Sequence, residues 1–150
     1  MSDRKVRSLE VMLRLARLSE ARARHEAARA RVEVQMAAGS LEVAEQRMDA
    51  ATEARQRQVA GRRGLALGLY EGITAVVDAC DVHLAQAQQA LEQKEAVGLE
   101  LAAGAAMAAR MSEGLEDRID LLRLQSRCRR EVARGEAAIE LWLGHRGPNG

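Results

Sequence analysis

Stepping alternately by three and four from Val6 places Val6, Leu9, Leu13, Ala16, Glu20, Ala23, Ala27, Ala30, Val34, Ala37, Leu41, Ala44, Met48 and Ala51 on one line. Thirteen of these fourteen positions are apolar, and only Glu20 interrupts the row. A row kept in register over six heptads is the pattern of a coiled-coil seam. It predicts a helix from near Asp3 to near Ala60, about 85 Å long at 1.5 Å per residue. The positions between are rich in Arg and Glu, as the solvated face of such a helix requires.

A second row starts at Ile73 and passes through Val77, Cys80, Leu84, Ala87, Leu91, Lys94, Gly98, Leu101, Ala105, Ala108, Ser112, Leu115, Ile119 and Leu122. Twelve of its fifteen positions are apolar, and Gly98 permits close approach of a neighbouring helix. Beyond Leu122 the row is expected to slip in phase, a stutter carried by Leu121, Leu124, Cys128, Val132, Ile139 and Trp142. Between the rows, Gly61, Gly64, Gly68 and Gly72 form the densest helix-breaking signal. The chain is expected to reverse over residues 61–72, with Leu65, Leu67, Leu69 and Tyr70 forming a packed cap or a short third helix. The fold class predicted is all-α: a long two-helix antiparallel coiled-coil hairpin, one domain over residues 1–150. Its helices would cover about 3–60 and 73–143, and Gly144 onward would be a frayed tail.

Composition narrows what such a seam can bury. Among 150 residues there are 29 Ala and 18 Leu but 3 Ile, no Phe, one Trp and one Tyr. Thick cores are filled by aromatic and branched side chains, so this chain fits a thin seam between two closely spaced helices. With 30% charged residues and its one proline at Pro148, nothing earlier forbids continuous helix.

The net charge of +1 hides a segregation. Residues 1–63 hold 14 Lys/Arg against 9 Asp/Glu, residues 64–117 hold 2 against 9, and residues 118–150 hold 7 against 4. Folding the chain in half would gather positive charge at the pole where the two ends meet and negative charge at the other. Pairing outward from a turn near Leu65 sets Leu9 opposite roughly Leu121, so residues past about Arg127 should project beyond the first helix. That extension carries Arg127, Arg129, Arg130, Arg134, Ile139 and Trp142: a basic stretch with an apolar tip, suited to docking.

Little here suggests chemistry. Asp78, Cys80, Asp81 and His83 gather around one helical turn and include good metal ligands. Cys80 falls on the seam, however, and no second cluster completes a coordination shell, so a core cysteine among surface acids is the favoured reading. His25 and His145 fall on the surface and in the tail. No serine has the Gly-x-Ser-x-Gly setting, there is no phosphate loop or dinucleotide fingerprint, and a two-helix hairpin offers no concave pocket. The expectation is a protein with no enzymatic activity, metal, cofactor or small-molecule ligand. The nine Lys/Arg of residues 1–31 alternate with Glu10, Glu20, Glu26 and Glu33 and lack aromatic neighbours, which favours a solvated helix face over nucleic-acid binding. Leu9, Met12, Leu13 and Leu15 make one broad apolar side that could lie on an anionic membrane, but the heptad row running far past them fits helix pairing better. No segment has the apolar length of a membrane span, and the basic start is followed by no apolar signal core. With Cys80 and Cys128 isolated, a reducing cytoplasm is the expected compartment.

The opening pattern of Leu9, Leu13, Arg14, Leu15, Arg17 and Leu18, the length, the hairpin, and the basic stretch from Arg118 to Arg134 leading to Trp142 resemble FliJ, the flagellar type III export stalk family, and the YscO-type stalks of virulence secretion. The ending Glu140-Leu141-Trp142-Leu143-Gly144-His145-Arg146 departs from the acidic ending of many of its members. The resemblance implies a cytoplasmic stalk, held at the inner membrane through an export complex. Its implied partners are a hexameric export ATPase, a membrane export-gate protein and export chaperones. It implies that the basic pole enters the ATPase ring, which here would use Arg4, Lys5, Arg7, Arg14, Arg127, Arg129, Arg130, Arg134 and Trp142. It also implies a gate contact near the start of the second helix, at Ile73, Val77, Cys80 and Leu84. A generic coiled-coil scaffold is the alternative.

Overall fold

A computed structural model describes residues 2–61 and 67–146. It contains two helices, α1 (Ser2–Ala60) and α2 (Leu67–His145), which pack against each other as an all-α antiparallel hairpin. Runs of Ala, Leu, Glu, Gln and Arg, the strongest helix formers, explain why each element is continuous. Helix contacts divide the chain into two compact units, residues 1–22 with 105–150 and residues 23–104.

In the first unit the direction of packing is read from two ion pairs. Arg123 of α2 donates to Glu10 of α1, and Arg17 of α1 donates to Glu116 of α2. A step of seven forward on α1 matches a step of seven backward on α2, so the helices run antiparallel. This sets Leu9 level with Leu124 rather than Leu121, three residues from the expected register. The seam here is closed by Val6, Leu9, Leu13, Ala16, Leu115, Ile119 and Leu122, all buried or half-buried. Ile119 is only 3% exposed. Ser112 is buried as well, and its Oγ has no hydrogen-bond partner.

In the second unit the buried apolar residues are Ala27 and Ala30 on α1 and Val77 on α2. The two alanines bury little area per residue. Gly98 faces Val34: a Cβ built on Gly98 would meet Val34 Cγ2 at 3.7 Å, an ordinary contact. The glycine is therefore compatible with close packing but not demanded by it. On one edge Lys94 Nζ donates to Glu33 Oε2 at 3.0 Å. This bond, and the ammonium charge behind it, hold the Glu33 carboxyl below its ordinary value.

All fourteen seam positions expected in α1 are buried or half-buried, and so are fourteen of the fifteen in α2. The exception, Lys94, turns outward to Glu33. Four expectations need correction. The seam does not stutter after Leu122: it keeps heptad phase to a half-buried Ser126, while Leu121, Leu124, Cys128, Val132, Ile139 and Trp142 are all exposed. α2 begins at Leu67, not near Ile73, and takes in Gly68 and Gly72. Each glycine costs roughly 1 kcal/mol of helix, a loss small enough for the long helical run that follows them to carry. Of the expected cap, Leu67 and Leu69 are exposed, Tyr70 is half-buried, and Leu65 lies outside the described residues, as do Arg62, Arg63, Gly64 and Ala66. At the other end α2 continues through His145 instead of fraying at Gly144, and residues 147–150 lie outside the described residues.

Candidate docking surface

The first unit is the more basic one: its residues carry fourteen Lys/Arg against ten Asp/Glu, a net of +4, whereas residues 23–104 carry nine against twelve, a net of −3. Within it, Asp3 and Val6 of the first α1 turn line a cavity of about 210 Å³ together with Arg123, Ser126, Arg127 and Arg130 of α2. The overhang therefore starts past Arg130, not at Arg127 as the sequence suggested. The cavity brings three of α2's guanidinium groups beside the start of α1, where Asp3 is the one acid on the lining.

From Arg127 to Arg146 every residue is exposed. Helical spacing sorts this stretch into faces. Arg123, Arg127, Arg130 and Arg134, at steps of four, three and four, form one row. Leu121, Leu124, Cys128, Val132, Ile139 and Trp142 form another, on the side of α2 turned away from α1. Val132, Ile139 and Trp142 are 61%, 59% and 56% exposed, an unusual condition for large apolar side chains lying in one row. At the tip Arg146 packs over the Trp142 ring, 4.5 Å from its centroid, a cation–π contact. The Arg146 backbone N–H closes the last turn on the Trp142 carbonyl at 3.2 Å.

Of the residues assigned to a basic docking pole, Arg4, Lys5, Arg7, Arg14, Arg127, Arg129, Arg130, Arg134 and Trp142 are all exposed. Arg127 and Arg130 share a cavity with the start of α1. Arg14 instead lines a cavity of about 420 Å³ among Glu10, Glu116 and Asp120, a mixed-charge setting rather than a basic one. The gate-contact group fares differently. Val77 is buried and Ile73, Cys80 and Leu84 are half-buried on the inner face of α2. Side chains packed toward α1 do not form an open surface. Among the described residues no group of three or more His, Cys, Asp or Glu is placed to hold a metal ion. No described helix is long and apolar enough to cross a membrane.

Sequence reasoning overlooked a second apolar line on α1. Val11, Leu15 and Leu18 in the first unit, and Val32, Met36 and Val43 in the second, are 44–69% exposed on the face opposite the seam. Their spacing of three and four was readable, but the stronger inner row masked it. No protein-family model, curated protein or solved structure matches the chain.

Proposed function

We propose that this chain is a non-catalytic docking protein, and that the Arg-bearing end of α2, exposed from Arg127 onward, is its docking element. One observation carries the reading: an exposed helical stretch presents an apolar row ending in Trp142 beside a row of guanidinium groups. Such a stretch suits a partner that offers an apolar groove with acidic rims. Charge matching of that kind sets encounter rate and specificity, and a Trp or Arg anchor supplies much of the binding free energy.

The resemblance to the FliJ and YscO-type stalks supplies the partner. The reading places the chain in the cytoplasm as a stalk of a flagellar or type III export complex, docked on the hexameric ATPase and relaying to the membrane gate, with export chaperones as further partners. The gate contact has no support from the burial of Ile73, Val77, Cys80 and Leu84, so the ATPase contact is the part to test. Replacing Arg127, Arg129, Arg130 and Arg134 together with Glu should abolish binding to, and stimulation of, a hexameric export ATPase, with helical circular dichroism unchanged. Replacing Asp78 and Asp81 with Lys, in the second unit, should leave both intact. Undiminished stimulation by the four-residue variant, or no ATPase binding by the native chain, returns the protein to the class of generic coiled-coil scaffolds.

A further inference from the structure

The second unit carries an apolar notch on one edge of the seam. It has a volume of about 510 Å³ and is lined by Arg31, Val34, Gln35, Glu95, Gly98 and Leu99. Gly98, with no side chain, lies on its floor. Its lip is Leu99, which is 74% exposed, the most exposed large apolar side chain of the described residues. Two opposite charges bound it. Gly98 lies level with Val34, so Arg31 lies level with about residue 101 and Glu95 lies six residues away, about 9 Å along the helix axis. Neither Arg31 nor Glu95 forms an ion pair with another described residue.

We infer that this notch binds the same notch of a second copy of the chain, across a two-fold axis passing near Gly98. A two-fold contact brings each surface against itself, so a site closes well only if it is self-complementary. This one is. Rotation about an axis midway between the two charges sets Arg31 of one copy against Glu95 of the other, twice over. The axis lies level with residue 98, so Leu99 of each copy meets its equivalent and covers the other's glycine floor. A foreign helix would meet one positive and one negative rim with no such reciprocal match. The contact is small beside the roughly 800 Å² per partner of a standard interface, so the association is weak and concentration-dependent. It uses no residue of the α2 extension and stands independently of the docking function.

Sedimentation velocity on the full chain over a wide concentration series tests this. The native chain should show a reversible monomer–dimer equilibrium. Arg31→Glu and Glu95→Arg alone should each weaken it by about tenfold or more, since each turns two attractive pairs repulsive. Combining the two should restore it, because the exchanged charges attract again. Leu99→Ser should abolish it with circular dichroism unchanged, so the loss is not one of folding. A native chain that stays monomeric throughout, or a dimer indifferent to the single charge reversals, overturns the inference.

Discussion

Arg123 donates to Glu10 across the helix interface, and this contact fixes the register of the first unit. The two residues hold equivalent flanking positions on their helices, as do Arg17 and Glu116 one heptad further on. Exposed pairs of this kind contribute only about 0.2–1 kcal/mol each. Their value lies in selecting one alignment of the seam. Exchanging the charges, Glu10→Arg with Arg123→Glu, should restore a melting temperature that either single change lowers. If the double variant melts no higher than the singles, the two side chains are not partners.

The inner face of α2 is set by Ile119, not by its neighbour Leu121. Ile119 is 3% exposed and Leu121 54%. Truncating a buried Ile to Ala typically costs about 2–5 kcal/mol, while an exposed position stays within about 0.5 kcal/mol. Denaturant unfolding should therefore show a large loss for Ile119→Ala and almost none for Leu121→Ala. Equal losses would mean that the seam does shift phase here.

Ser112 occupies a seam position where its buried hydroxyl finds no partner. Leaving a polar group buried and unpaired costs about 1–3 kcal/mol. Ser112→Ala should raise stability, the more so because Ala is the better helix former. A lower midpoint for the Ala variant would show that the hydroxyl has a partner after all.

The Glu33–Lys94 pair gives a pH dependence of known sign. The folded-state carboxyl is held below its ordinary value, first by the Lys94 hydrogen bond and then by its charge. Its stabilisation is therefore fully present above the ordinary carboxylate range of about pH 4.3 and lost as pH falls through the lowered folded value. The melting-temperature gap between the native chain and Glu33→Gln should be small at pH 7, because both groups are exposed, and should close as pH falls through the lowered folded value. A gap that widens on acidification contradicts the pairing.

How much of this was readable beforehand follows from the physics of each feature. The α1 row from Val6 to Ala51 was legible because a heptad needs only residue type and spacing, and one helix face has one partner. The phase of α2 around Leu122 is not legible because Leu121, Leu124 and Ser126 invert the usual rule: the serine faces α1 and the leucines face solvent. Apolarity alone cannot distinguish a seam from an unpartnered docking row. The start of α2 is hidden because Gly68 and Gly72 read locally as breakers, while the long helix that carries them is not a local feature. The notch between Arg31 and Glu95 depends on how the two helices are aligned, and no local pattern encodes that.

The central claim is that α2 past Arg127 docks on a partner while the seam stays closed. Hydrogen–deuterium exchange, with and without the export ATPase, tests it most directly. Alone, amides of residues 131–146 should exchange fastest among the described helices, since exposed helix with few packed contacts opens readily. With the ATPase bound, protection should appear there and in the first turns of α1, leaving residues 73–84 unchanged. Protection confined to residues 73–84, or none along the extension, would contradict the account.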